Sequence, residues 1–93
     1  MKRRLMEILA CPMCRNHPLE LIVFSEENEI DEGIIICNSC NRWYPIKETI
    51  PHMLPDELRE MEEDTEFLRR WEDKVPKKIV GEGKPFNLFK KNI

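Results

Sequence analysis

Two Cys-x-x-Cys pairs constrain the fold of this chain more than any other feature of its sequence. The first pair is Cys11 and Cys14, the second is Cys37 and Cys40, and 22 residues lie between the pairs. A Cys-x-x-Cys turn directs both sulfurs to one side, so two facing turns form a tetrahedral cage for one metal ion. The spacing therefore predicts a zinc ribbon, in which antiparallel strands connect two metal-binding turns.

Four thiolates fill a tetrahedral site and leave no position for water or substrate, so we expect a structural Zn²⁺ ion and not a catalytic one. His17 and His52 are expected at the surface. Iron, as in a rubredoxin-type electron carrier, uses the same thiolate geometry, and the spacing alone does not distinguish it. Two disulfides or a redox-active pair fit less well, because the chain shows no secretion signal and we expect it in the reducing cytoplasm.

The segments around the two turns predict a three-stranded antiparallel sheet. Branched and aromatic residues predict strands at 19–24, 34–37 and 43–46. The acidic stretch 25–33 predicts an exposed hairpin loop. Asn16 and Asn41 suit the left-handed backbone conformation that often follows such cysteine turns.

Helices are expected on both sides of this ribbon in the chain. Residues 2–9 predict a short N-terminal helix with Leu5, Ile8 and Leu9 on one side. Residues 56–75 predict one C-terminal helix, with acidic residues at its start, basic residues at its end and Pro76 beyond it. We therefore expect a small α+β zinc-binding protein: a ribbon domain at 1–55, and at 56–93 a helix and an extended tail that packs on it. Three apolar residues of the tail are available as anchors: Phe86, Leu88 and Phe89.

Composition excludes some function classes. The net charge is −3, which disfavours a nucleic-acid binder, because such proteins usually carry a basic excess. The longest apolar runs are four residues, far shorter than a membrane span. The sequence shows no glycine-rich phosphate loop and no nucleophile with a nearby histidine, so we do not expect an enzyme.

The strand after the second cysteine turn carries two large aromatics. Trp43 and Tyr44 point to opposite faces of a strand, so both cannot enter the same small core. One of them is left for the tail helix or for a partner protein, together with the apolar run 50–54. Pro51 and Pro55 keep that run at a sheet edge, where unpaired backbone groups can extend another protein's sheet.

Three stretches, "LMEILACPMC", "CNSCNRWYPI" and "IPHMLP", resemble the small zinc-ribbon activator subunits of S-adenosylmethionine-dependent methyltransferases. The resemblance covers about the first 55 residues, and the tail motif "GKPFNL" is similar to archaeal members. The chain departs from the family pattern at Thr49, where members usually have glycine, and at Asn16, where glycine is also frequent.

This resemblance implies a heterodimer with class I methyltransferases that modify tRNA, ribosomal RNA or translation release factors. The activator would pair a strand with the edge of the catalytic sheet, and all catalytic residues would belong to the partner. The implied metal ligands are Cys11, Cys14, Cys37 and Cys40. The implied partner-binding residues are Trp43, Tyr44, Ile46, Ile50, Pro51, Met53 and Leu54. The alternatives are a ribbon that binds RNA or assists translation or transcription, and the iron-bearing electron carrier.

Overall fold

The computed structural model describes residues 1–88, and its central element is an antiparallel sheet. The strands are β1 (Glu20–Glu26), β2 (Ile30–Cys37), β3 (Arg42–Lys47) and β4 (Ile50–Pro51), and they lie side by side in chain order. The expected three-stranded ribbon is therefore present, and the short β4 extends it by pairing with the end of β3. The predicted anchor Phe89 lies outside the described residues.

The hairpin between β1 and β2 is tighter than the acidic sequence predicts. β1 continues to Glu26 and β2 begins at Ile30, so only three residues connect them, and not the whole of 25–33. Ile30 is fully buried, and its burial draws the start of β2 into the sheet. Gly33 allows β1 to approach closely, because a Cβ at this position would lie 2.6 Å from the carbonyl oxygen of Ile22.

A two-residue turn joins β3 to β4. Its residues, Glu48 and Thr49, both have positive φ angles, 49° and 69°. Positive φ at both positions matches the right-handed twist of a hairpin but normally requires glycine, asparagine or aspartate. Thr49 therefore holds a left-handed conformation that is unfavourable for a β-branched residue.

The sheet separates two hydrophobic cores. The first core contains Met1, Cys11, Leu19, Ile30, Ile35, Cys37, Tyr44 and Ile46. The second core contains Ile34, Ile36, Trp43, Phe67, Leu68, Val75, Ile79 and Val80. Adjacent residues of β3 thus enter opposite cores, as the alternation of strand side chains predicts.

The N-terminal segment packs on the first core. A 3-10 helix spans Arg3–Glu7, shorter than the predicted helix over 2–9. Leu5 and Leu9 pack against the first core, as expected, but Ile8 is 76% exposed. The 3-10 helix ends at Glu7, so Ile8 lies beyond it and is not held on the face that packs against the sheet.

The C-terminal region covers the second core. The predicted single helix over 56–75 is wrong in extent: a 3-10 helix at Asp56–Leu58 precedes α1 (Met61–Arg70), and α2 (Lys77–Glu82) follows. Arg59 interrupts the helix with an extended backbone, because its guanidinium turns into the protein interior. Acidic residues occupy the first turn of α1 and basic residues its last, the charge polarity that the sequence predicts.

Among residues 1–88, no helix has the length and apolar character needed to cross a membrane. The division of the chain into units at 1–55 and 56–93 stays a prediction. The described part of the second unit nevertheless supplies five of the eight buried residues of the second core, and Phe67, Leu68 and Val80 are among them.

Candidate metal centre and partner surface

The four cysteines converge at one end of the sheet. Their sulfurs all lie within 4.8 Å of one another. The sulfurs of Cys11 and Cys40 are 3.8 Å apart, and those of Cys14 and Cys37 are 3.4 Å apart. Tetrahedral zinc with Zn–S bonds of about 2.3 Å places its sulfurs about 3.8 Å apart. The four side chains therefore fit one tetrahedral metal ion, and neither histidine belongs to this cluster.

Two turns of the same design present these sulfurs. In the first turn, the N–H of Arg15 donates to the carbonyl oxygen of Cys11 at 2.8 Å. In the second turn, the N–H of Asn41 donates to the carbonyl oxygen of Cys37 at 2.9 Å. Arg15 and Asn41 both have left-handed backbones, with φ angles of 64° and 62°. The prediction for Asn41 is confirmed, whereas that for Asn16 is wrong by one residue, because the left-handed position directly follows the second cysteine of each turn.

Tyr44 connects the first core to the metal centre. Its hydroxyl lies 3.1 Å from the sulfur of Cys11, and both groups are buried. Burial raises the pKa of the Tyr44 hydroxyl and the Cys11 sulfur raises it further, so the hydroxyl keeps its proton and is the donor when Cys11 is a thiolate. Burial alone would disfavour the Cys11 thiolate, but the N–H groups of Cys14 and Met13 and the Tyr44 hydroxyl lower its pKa to about 6.

Cys37 lies in a different environment. Burial raises the pKa of its thiol to about 12, although the N–H groups of Cys40 and Ser39 act in the opposite direction. The Cys11 thiol therefore ionises more readily than the Cys37 thiol, whose loss of a proton depends on a nearby cation.

The residues of the predicted partner surface differ widely in exposure. Trp43, Tyr44 and Ile46 have no exposed area, because the N-terminal segment covers one face of the sheet and the C-terminal region covers the other. Their side chains cannot contact a partner in this conformation. Ile50 is 59% exposed and Leu54 is 38% exposed, while the rest of the predicted set is partly buried.

Two further apolar residues are exposed at the start of the C-terminal region. Leu58 and Met61 are 60% and 44% exposed, although one continuous helix over 56–75 could have turned both toward the sheet. Leu58 and Leu54 line one cleft of about 120 Å³ beside β3. Arg59 and Glu60, which have extended backbones, separate Leu58 from α1, and neither residue is a proline that would have signalled the break.

Comparison with known proteins identifies the family. The family model described as "Trm112p-like protein" matches residues 2–48, which include all four cysteines. This chain belongs to the Trm112p-like family. The predicted resemblance is thereby confirmed at the level of the family.

Bacterial proteins similar to this chain include a UPF0434 protein of Coxiella burnetii. It is 46% identical over 59 residues, which cover 63% of this chain and 91% of the relative. A UPF0434 protein of Nitrosococcus oceani is 36% identical over 67 residues, which cover 72% of this chain and 100% of the relative.

A solved structure of the family is also similar to this chain. It is the complex between the Haloferax volcanii Trm112 methyltransferase activator and the putative methyltransferase. The sequence identity is 41% and the TM-score is 0.55, and the match covers 62% of this chain and 100% of that chain. More than a third of this chain therefore has no counterpart in that structure, and the archaeal character of the tail stays a prediction.

Proposed function

We propose that this chain is a non-catalytic activating subunit of class I S-adenosylmethionine-dependent methyltransferases. One observation carries the proposal: the whole of an activator solved with its putative methyltransferase matches this chain at 41% identity. The clustered cysteines support it, because they supply the rigid, closed metal site that a ribbon-type scaffold needs.

The metal in this proposal is a structural Zn²⁺ held by Cys11, Cys14, Cys37 and Cys40. Each cysteine turn contributes two sulfurs, so the ion would join residues that are more than 20 positions apart. Zinc binding by such thiolate sets contributes about 10–16 kcal/mol near neutral pH, more than the net stability of a typical domain. The ion would therefore hold the sheet together and take no part in methyl transfer.

The partner surface in this proposal comprises four exposed apolar residues between β4 and the start of α1: Ile50, Leu54, Leu58 and Met61. An apolar patch beside a short edge strand suits another protein's sheet margin. Covering the matching surface of the methyltransferase would stabilise its ordered state, and mass action would then raise the population that binds S-adenosylmethionine.

The substrates in this proposal are tRNA, ribosomal RNA or translation release factors, and they rest on the family resemblance. The net charge of −3 favours a division of labour in which the methyltransferase contacts RNA. Four free thiols in a metal-ready cluster favour a reducing compartment such as the cytoplasm.

Co-expression with a class I methyltransferase from the same genome tests the proposal. Ile50→Asp and Leu54→Asp should each reduce the soluble yield and activity of the methyltransferase, because a buried unpaired carboxylate is costly. Ile8→Asp is the matched control, since Ile8 is equally apolar and 76% exposed but lies in the N-terminal segment. If the soluble yield and activity of the methyltransferase are unchanged with both Ile50→Asp and Leu54→Asp, the proposed surface is contradicted. If the wild-type chain does not bind the methyltransferase, the proposed function is contradicted.

A further inference from the structure

The chain itself occupies the edge of β3 that faces away from β2, at the start of the strand. Residues 83–88, here called the strap, follow α2 and run beside the start of β3. The N–H of Trp43 donates to the carbonyl oxygen of Lys84 at 3.2 Å, and the N–H of Lys84 donates to the carbonyl oxygen of Asn41 at 2.9 Å. Arg42 and Lys84 thereby form a parallel β-bridge. The strap thus makes the contacts of a short additional strand.

The strap also covers the indole of Trp43. The indole N–H of Trp43 donates to the carbonyl oxygen of Phe86 at 2.9 Å. Gly83 packs so closely that a Cβ there would lie 2.9 Å from Cδ1 of Trp43 and 2.5 Å from the carbonyl oxygen of Ile79. Its φ of −64° is open to any residue, so the requirement for glycine is steric. The N–H of Leu88 donates to the carbonyl oxygen of Val80 at 2.8 Å and ties the strap back to α2.

The carbonyl oxygen of Trp43 also accepts a hydrogen bond from the C-terminal region. The guanidinium of Arg59 donates to the carbonyl oxygen of Trp43 at 2.7 Å and lies over the indole, 4.8 Å from the ring centre. Arg59 is held by an ion pair with Asp64 at 2.8 Å, and both side chains are almost fully buried. Both edge-facing groups of Trp43 therefore bond to the C-terminal region, and a partner strand cannot pair there while the strap is docked.

We propose that the strap is an internal substitute for the partner's strand, and that an edge strand of the methyltransferase displaces it on binding. This inference rests on the proposed function and adds a regulated step to it. The family model matches residues 2–48, so the strap lies outside the matched ribbon. The opposite margin of the sheet, β1, begins with Glu20 and ends with Glu26, and charges at an edge oppose strand pairing.

Strap docking lowers the apparent affinity for the methyltransferase. When only the undocked fraction of a protein can bind, the apparent dissociation constant equals the intrinsic constant divided by that fraction. Any change that weakens strap docking, and leaves the sheet intact, therefore tightens the complex.

Gly83→Ala tests this relation in the full-length, metal-loaded chain. The added Cβ clashes with backbone at Ile79 and with the Trp43 indole, and overpacking of this kind shifts such an equilibrium by roughly tenfold or more. The apparent dissociation constant for the methyltransferase should fall by at least about tenfold. Gly81→Ala is the matched control: Gly81 lies within α2, where alanine favours the helix, and its affinity should stay within about twofold of wild type.

Hydrogen exchange on the wild-type chain provides a readout that needs no variant. In the free chain, the Lys84 amide should be protected; in the complex, it should lose protection while the Trp43 amide keeps it through the partner strand. A complex in which the Lys84 amide stays protected, or a Gly83→Ala affinity that is unchanged or weaker, would overturn the strap proposal and leave the activator function intact. Failure of wild type and both variants to bind any methyltransferase would overturn both.

Discussion

Tyr44→Phe is the sharpest test of how the fold supports the metal centre. Phenylalanine fills the same buried space, so the first core keeps its packing. The substitution removes only the hydroxyl that lies 3.1 Å from the Cys11 sulfur. Any loss of metal affinity therefore reports this one hydrogen bond.

The size of the effect follows from the charge on the acceptor. Cys11 must be a thiolate to bind metal, and a hydrogen bond to a charged group contributes about 1.5–3 kcal/mol. At about 1.4 kcal/mol per factor of ten, the loss corresponds to a metal affinity roughly 10- to 100-fold weaker. Loss of hydrogen-bond partners around metal ligands in other proteins costs a similar 10–100-fold.

Competition with a chromophoric chelator at pH 7 measures the zinc dissociation constant directly. Ile35→Val is the matched control, because Ile35 pairs across the sheet with Tyr44 and shares its core but has no polar group. Ile35→Val should cost about 0.5–1.5 kcal/mol of stability through lost packing, and it should weaken zinc affinity less than Tyr44→Phe does. A Tyr44→Phe protein with wild-type zinc affinity would refute the reasoning.

Four further outcomes follow from particular residues. Thr49→Gly should stabilise the metal-loaded chain by about 1 kcal/mol in urea unfolding. A left-handed non-glycine residue costs about 1–2 kcal/mol, and the larger backbone entropy that glycine loses on folding cancels part of this gain. A loss of stability would show that Thr49 is not strained. Gly33→Ala should destabilise the chain by about 1–3 kcal/mol in the same assay because its Cβ meets the backbone of β1, and a neutral result would contradict the close strand approach. Burial, with the charges of Lys47 and Arg59, lowers the pKa of His52, so the unfolded chain takes up this proton first as pH falls below about 6.5; wild type should lose stability there that His52→Gln keeps, and parallel pH profiles would exclude this role. Complete chelation should remove the near-ultraviolet and much of the far-ultraviolet circular dichroism, and retention of both would contradict a structural metal.

The sequence specified the metal centre and the sheet well, because both depend on local patterns. Each Cys-x-x-Cys pair defines its own turn, and the strand segments are rich in the branched and aromatic residues that strands favour. The separation of Trp43 from Tyr44 was also predictable, since it needs only the period of a strand. Both aromatics turn out to fill cores of this chain, and neither side chain is exposed.

The C-terminal region was less predictable, because its conformation depends on distant contacts. Nothing in the helical spacing of 56–75 shows that Arg59 leaves the helix to reach the carbonyl oxygen of Trp43, 16 positions earlier in the chain. The sequence predicts an extended tail but not the pairing of the strap with β3, since those hydrogen bonds use backbone groups that every residue carries. The exposure of Leu58 follows from the same interruption of the helix.

The affinity of a class I methyltransferase for S-adenosylmethionine, measured by calorimetry with and without the zinc-loaded chain, tests the central claim most directly. The account predicts a one-to-one complex and a lower dissociation constant for the cofactor when this chain is present. Equal cofactor affinity in both titrations, with no complex formed by any class I methyltransferase of the same genome, would contradict it.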